Sequence, residues 1–193
     1  TIPYGLYLCA LGIIPKIANE MDKLMLWFSF GPAHVAIYTF ATMPVSQILN
    51  TIVGNVHSLA FPKWRATSAE VLKQTLPAKV LKSYLFIIPP IVIYIVIAPL
   101  LYSFVFPQYL ESAWYSQLFA LSLLIIPVSF FVNSFVAKIT KKELFVNRVV
   151  MSLVRLALFV TLIPLYGVLG AVLAYLTANA LFMIVAYVQF RRM

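Results

Sequence analysis

Charge is scarce in this chain of 193 residues, and acidic side chains are the scarcest of all. Charged residues make up 10% of the sequence and hydrophobic residues 63%, whereas a soluble domain is about one quarter charged and about half apolar. This imbalance excludes a soluble globular enzyme and a disordered tail, and it predicts a protein of the lipid bilayer. Cys9 is the only cysteine, so neither an internal disulfide bond nor a cysteine-based metal site can form.

Catalytic signatures are also missing from the sequence. It contains no phosphate-binding Walker loop, no HExxH zinc motif and no GxSxG nucleophile motif. With five acidic residues and two histidines, a general acid–base pair is hard to assemble, so we expect neither an enzyme nor a bound cofactor or metal. The chain opens at Thr1 without a charged segment or a cleavage site, which indicates a piece of a longer reading frame rather than a signal peptide.

Long runs without charge supply the membrane-spanning segments, since a helix needs about 20 apolar residues to cross about 30 Å of hydrocarbon. Turn signals at Gly31-Pro32 and at Pro164–Gly167 divide the two longest runs. The runs are continuously apolar rather than alternating, which excludes transmembrane strands. The sequence therefore predicts an all-α integral membrane protein, a six-helix transmembrane bundle over 1–193 with helices at about 2–29, 34–60, 79–106, 114–137, 145–163 and 168–190.

The basic residues are confined to alternate connections between these helices. Eleven of the 14 lie between the second and third helices, between the fourth helix and the start of the fifth, or after the sixth. The positive-inside rule then predicts that loops 61–82 and 138–147 and the C-terminus are cytoplasmic. Within 63–82, Trp64, Val71, Leu72 and Leu76 recur at helical spacing, which predicts a short interfacial helix on the inner leaflet. Pro77 would end that helix or start the next one.

Charged residues inside the predicted spans are candidate functional residues, because an ionisable group at bilayer depth costs several kcal/mol unless it faces a cavity or a partner. In the first helix Lys16, Glu20 and Lys23 share one face, with Asp22 beside them. These residues either line a hydrated cavity, where they could contact an anionic substrate, or form a self-neutralised cluster near the headgroups.

Among the charged residues in the predicted spans, Arg155 would have the highest free-energy cost if it had neither a partner nor a cavity to face. It lies two helical turns, or about 10 Å, deeper than Arg148, which can reach the cytoplasmic surface. Arg155 has three alternatives. It forms an anion site that faces a cavity, it pairs with a buried acid, or its side chain extends to the cytoplasmic surface as that of Arg148 can. A lone arginine among so few acids suits a phosphate or uronic-acid group.

Uncharged polar residues form a stripe on the second helix and recur on the fourth. A polar stripe this narrow should not face lipid, so it faces a polar cavity or hydrogen-bonds to neighbouring helices. In addition, the spacing of Ala33, Tyr38 and Ala41 recurs at Gly170, Tyr175 and Ala178, which indicates either an internal repeat or shared turn-to-helix chemistry. The polar positions are Gln47, Asn50, Thr51, Gly54 and Ser58 on the second helix and Ser129, Asn133 and Ser134 on the fourth.

Four stretches of the chain occur in a recognisable order: Asp22–Ala41, Phe61-Pro62-Lys63, LYSFVFPQY at 101–109, and Leu162–Val172. Together they resemble the C-terminal half of bacterial polysaccharide (O-antigen type) flippases. These belong to the multidrug/oligosaccharidyl-lipid/polysaccharide exporter superfamily, whose members pair two six-helix bundles. The resemblance implies a C-terminal bundle that works with the N-terminal bundle of the same full-length protein.

The function that the resemblance implies is movement of undecaprenyl-pyrophosphate-linked oligosaccharide repeat units across the bacterial inner membrane, for surface polysaccharide synthesis. By position and charge, Lys16, Lys23, Arg148 and Arg155 would contact the anion. The residues that would line the cavity are Glu20, Asp22, Gln47, Asn50, Thr51, Ser58 and Asn133. An H⁺ or Na⁺ gradient is the candidate driving force. Three alternatives stay open: a multidrug antiporter, a peptidoglycan-precursor flippase, and a non-transporting scaffold of a polysaccharide assembly complex.

Overall fold

The computed structural model describes residues 16–18, 20–136, 145 and 149–192. Within these ranges the chain is helical between short turns, which confirms the all-α prediction for that part of the chain. Three helical stretches are long and apolar enough to cross a membrane: Glu70–Val105, Ser112–Phe131 and Met151–Phe190. Such lengths and compositions are those of a membrane-embedded protein. The kind of membrane stays a prediction.

The helices are numbered along the chain as α1 (20–30), α2 (Pro32–Ala66), α3 (Ala69–Val105), α4 (Ser112–Ala120), α5 (Ile125–Val136) and α6 (Met151–Arg192). A 3-10 turn at Leu121–Leu124 joins α4 to α5, so the single helix predicted at 114–137 is two helices in the structure. Gly167 has non-helical backbone angles, φ 58° and ψ −128°, and divides α6 into arms at 151–166 and 168–192. Parts of the predicted helices at 2–29 and 145–163 lie outside the described residues.

The basic segment 63–82 differs from its prediction. It is not a separate interfacial helix, because its first residues end α2 at Ala66 and its remainder, from Ala69, begins α3 with Pro77 inside the helix. Leu72, Leu76 and Val80 form a buried row four residues apart, which packs on the far ends of α5 and α6. This packing fixes α3 on both sides of the proline, so the predicted boundary at Pro77 is wrong.

Both predicted turns form tight hairpins. Gly31 ends α1 with φ 83°, a left-handed angle that favours glycine, and its N–H donates to the Trp27 carbonyl at 3.0 Å. Pro32 then starts α2, where its missing N–H costs nothing. Gly167 has a similar role between the two arms of α6. We call α1 with the first part of α2 the first hairpin, and the two arms of α6 the last hairpin.

The turns free of Lys and Arg lie at one end of the helices. A Cβ built on Gly167 would lie 3.6 Å from the Phe30 ring, so the two hairpin turns are neighbours. The third such turn joins the same region, because the Tyr109 ring stacks on Phe40 with 3.9 Å between the centroids. The basic start of α3 packs at the opposite end, near Phe190. The structure thus separates the basic segments from the uncharged turns, and which end faces the cytoplasm stays a prediction.

Candidate functional site

A buried carboxyl group joins the two helices of the first hairpin. Asp22 of α1 is 6% exposed, and its Oδ2 accepts a hydrogen bond of 2.6 Å from the Tyr38 hydroxyl of α2. Its Oδ1 accepts a second bond, of 2.7 Å, from the backbone N–H of Lys23. Bonds to a charged acceptor are short and about twice as strong as neutral ones. Both carboxyl oxygens of Asp22 therefore have a donor inside the protein.

A half-buried cation joins the two arms of the last hairpin in the same way. The Arg155 guanidinium lies over the Tyr175 ring, 4.8 Å from its centroid, and Nη2 donates to Asn179 Oδ1 at 3.5 Å. Asn179 is 3% exposed, and its Nδ2 has no hydrogen-bond partner among the described residues. An unsatisfied buried amide costs about 1–3 kcal/mol. A buried amide of this kind binds an ordered water or a ligand, or belongs to a site with a second arrangement.

The two pairs are neighbours in the interior. Arg155 and Tyr175 lie close enough to the Tyr38 hydroxyl to act on it electrostatically. We call Asp22, Tyr38, Arg155, Tyr175 and Asn179 the polar cluster. Its members lie seven to twelve residues from the turn glycines of their hairpins, or about 10–18 Å along the helices.

The other charged residues of α1 have an exposed setting. Lys23 Nζ and Glu20 Oε2 form an ion pair of 3.1 Å, three residues apart, and both side chains are more than one-third exposed. Such a surface pair contributes about 0–1 kcal/mol in water, so an anion in front of α1 could displace Glu20. Lys16 is also exposed. The ion pair between Glu20 and Lys23 fits the alternative of a self-neutralised cluster. The exposure of Lys16, Glu20 and Lys23 leaves these side chains open to a cavity as well.

The predicted polar stripe on α2 is an exposed surface. Gln47, Asn50 and Thr51 are exposed, and within the described ranges none of the three has a hydrogen bond to a neighbouring helix. Ser58 at the far end of the stripe is exposed too, and its hydroxyl donates to a carbonyl of its own helix, that of Asn55, at 2.9 Å. The opposite face of α2, with Tyr38 and Val45, is packed into the core. The stripe therefore points away from this bundle.

The exposed surface of α3 has the opposite character. Its most accessible side chains in the span are large and apolar, with Phe86 at 76% and Phe104 at 78% exposure. A surface of this composition suits lipid, whereas unpaired amides and hydroxyls do not. The two surfaces distinguish a lipid-facing side on α3 from a side on α2 that faces water or another protein.

Two of the predicted site residues cannot be placed. Arg148 and the side chain of Asn133 lie outside the described part of the structure. In contrast, the structure adds residues that sequence reasoning missed, namely Tyr38, Tyr175 and Asn179. The repeated spacing around the two tyrosines was the signal for both of them, since each follows a turn glycine by about two helical turns. Asn179 carried no signal, because it is a lone amide in an apolar run.

Comparison with models of known protein families, with curated proteins and with solved structures gave no match.

Proposed function

We propose that this chain forms a six-helix half of a two-bundle transporter, and that the transporter moves lipid-linked oligosaccharides with an anionic pyrophosphate group across the bacterial inner membrane. The observation that carries the proposal is the exposed polar stripe on α2. Gln47 and Ser58 are eleven residues apart, so the stripe extends for about 17 Å. That is more than half the hydrocarbon thickness, and a stripe of this length needs a water-filled cleft or a second bundle in front of it.

The charges on this half suit an anionic substrate. Lys16 is exposed on α1, and half-exposed Lys23 pairs with Glu20, an exposed acid that a phosphate oxygen could replace. Arg155 lies deeper, with its guanidinium held by Tyr175 and Asn179. It acts as a fixed positive charge behind the cleft. In a region of low dielectric constant, such a charge stabilises a desolvated pyrophosphate more strongly than it would in water.

The transport cycle follows from the same surfaces. The lipid tail stays in the bilayer beside the apolar face of α3, while the pyrophosphate and the sugars enter the cleft along α2. Rocking of the two bundles then opens the cleft to one side of the membrane and afterwards to the other. The missing half of the cleft is supplied by the N-terminal bundle of the full-length protein.

The same features disfavour the multidrug alternative, and experiments separate the other two. A multidrug antiporter for cationic drugs calls for an excess of acids in its cavity, whereas exposed Glu20 is paired with Lys23 and Asp22 is buried against Tyr38. A non-transporting scaffold would use the α2 stripe in dry protein contacts. A peptidoglycan-precursor flippase has a similar anionic substrate, and only the substrate itself separates it from our proposal.

The first test uses a strain that lacks the full-length gene. We expect loss of surface polysaccharide on gels, accumulation of lipid-linked repeat units by mass spectrometry, and unchanged drug susceptibility. Intact polysaccharide with new drug sensitivity would assign the protein to the multidrug branch. Arrested cell-wall synthesis with accumulated lipid-linked peptidoglycan precursor would assign the other flippase activity.

A second test examines the stripe directly, in a full-length protein whose Cys9 has been replaced by serine. Asn50→Cys should react with a membrane-impermeant maleimide, because the stripe faces water in the cleft. Leu85→Cys on the exposed apolar face of α3 is the matched control and should stay unlabelled. Equal protection of both cysteines would support the scaffold, because the stripe would then lie in dry protein contacts.

A further inference from the structure

Two exposed lysines of α3 lie where the helix leaves the hydrocarbon. The charge-free part of α3, at 83–105, is about 34 Å long, so it can cross about 30 Å of hydrocarbon by itself. Lys82 directly precedes this part and Lys79 lies one turn earlier, with both side chains exposed. We infer that Lys79 and Lys82 bind the phosphate of an anionic phospholipid, in the leaflet at the basic end of the bundle. The site lies on α3 rather than on the α2 stripe, and it does not rest on the proposed function.

The lysine pair continues into the most exposed apolar face of α3. Phe86, Ile93 and Leu100 follow Lys82 at intervals of four, seven and seven residues, with exposures of 76%, 57% and 63%. At 100° per residue, these four positions lie within about 40° of one another around the helix. The buried row of α3 packs on α5 and α6 and so faces the other way. An apolar row that begins at a pair of positive charges has the layout of a phospholipid, in which acyl chains begin at a charged headgroup.

The length of this row fits one leaflet. From Lys82 to Ile93 the helix rises by about 16 Å, and one leaflet contributes about half of the 30 Å of hydrocarbon. A phosphate held by the two lysines therefore aligns its acyl chains with Phe86 and Ile93. Lysines near the ends of spanning helices extend their ammonium groups to the headgroups while their methylene groups stay on apolar surface.

The surroundings of the two lysines favour an external anion. Within the described ranges, the ion pair between Glu20 and Lys23 lies on α1, and neither Lys79 nor Lys82 has an acidic partner. The acid of α3, Glu70, is nine residues before Lys79, or about 14 Å along the helix. A lysine near an anionic lipid surface strengthens binding by roughly fivefold. Two lysines should therefore select an anionic over a zwitterionic phospholipid by at least about fivefold.

The site can be tested by fluorescence quenching in lipid vesicles. The probe is a fluorophore on Leu85→Cys, an exposed position one turn from Lys82, in a full-length protein that carries no other cysteine. The vesicles contain phosphatidylcholine with an increasing fraction of a spin-labelled quencher lipid, either phosphatidylglycerol or phosphatidylcholine. We expect the labelled phosphatidylglycerol to have an association constant at least about fivefold higher than that of labelled phosphatidylcholine, and we expect this preference to fall at high salt.

Variants of the exposed lysines separate a site from general surface charge. Lys79→Gln/Lys82→Gln should lose the preference, whereas Lys79→Arg/Lys82→Arg should retain it because the two charges remain. Lys73→Gln is the matched control. It removes the same charge from the same helix, but Lys73 lies nine residues before Lys82 and hence about 14 Å further from the hydrocarbon. The control should keep the preference.

Three results would overturn the inference. The first is equal association of the two labelled lipids with the native protein, a comparison that needs no lysine variant. The second is a preference that survives in Lys79→Gln/Lys82→Gln or that disappears equally in Lys73→Gln. The third is displacement of labelled phosphatidylglycerol by undecaprenyl pyrophosphate at a far lower mole fraction, which would assign the lysine pair to a transport substrate. Failure of the gene-deletion test would remove the flippase and leave this lipid site unaffected.

Discussion

The close approach within the last hairpin gives the sharpest stability prediction. A Cβ added to Gly170 would collide with the Leu162 carbonyl oxygen, would lie 2.6 Å from the Leu162 carbonyl carbon, and would lie 3.1 Å from the Ile163 nitrogen. These are backbone atoms of the opposite arm, so no side chain can rotate away to make room. Gly170→Ala therefore has to open the hairpin, whereas Gly54→Ala on the exposed face of α2 meets nothing within 4 Å.

The two substitutions should shift stability in opposite directions. Forcing extra atoms into packed structure costs about 1–3 kcal/mol and sometimes more. The unfolding temperature of a two-bundle protein should then fall by roughly 1–6 °C, because the shift per kcal/mol decreases as the protein becomes larger. Alanine in place of an unconstrained helical glycine contributes up to about 1 kcal/mol, so Gly54→Ala should unfold at the native temperature or slightly above it.

The assay is thermal unfolding of the two full-length variants in the same detergent, followed by circular dichroism. Because both are glycine-to-alanine changes in helices, the intrinsic helix preference cancels and only the surroundings differ. Gly170→Ala as stable as Gly54→Ala would refute the tight hairpin at Gly167.

Two further substitutions test the last hairpin through transport. Arg155→Gln should lower export of repeat units by roughly tenfold at normal protein levels, because loss of a half-buried charge that contributes about 1.4 kcal/mol to substrate binding changes the affinity by that factor. Export by Arg155→Lys should lie between the two, since lysine keeps the charge and loses the planar group over Tyr175. Normal export by Arg155→Gln would contradict the anion role. Asn179→Leu should change the free energy of unfolding by less than about 1 kcal/mol, because the lost bond to Arg155 is offset by removal of an unsatisfied amide. Export by this variant should nevertheless fall. Severe unfolding of Asn179→Leu would show that the amide has a partner in the native protein.

Some of the fold could be read from the sequence because local chemistry decides it. Gly31 and Gly167 lie where the chain needs backbone angles that other residues avoid, and both turns form where the sequence predicts them. Pro77 misled the prediction for a tertiary reason. The loss of one helical hydrogen bond is a local signal, whereas the row of Leu72, Leu76 and Val80 that holds the helix together packs on partners far along the chain.

The candidate site was only partly predictable, since charge attracts attention and neutral partners do not. Asp22 and Arg155 stood out as costly residues in an apolar setting, although which groups compensate them depends on hairpin geometry. Tyr38 is 16 residues from Asp22, and Asn179 is 24 residues from Arg155. Sequence spacing alone does not bring such positions together, because each pair faces the other across a turn.

These separations have a consequence for biogenesis. Helices enter the membrane in the order of synthesis, and Asp22 is made more than 130 residues before Arg155. A bare carboxylate would have to wait in the bilayer if the arginine were its only compensation. Tyr38 instead arrives in the next helix, and Asn179 arrives in the arm that follows Arg155. Each hairpin can therefore enter the membrane with its polar side chain hydrogen-bonded within the hairpin, and the two hairpins need to meet only after the last hairpin has been made.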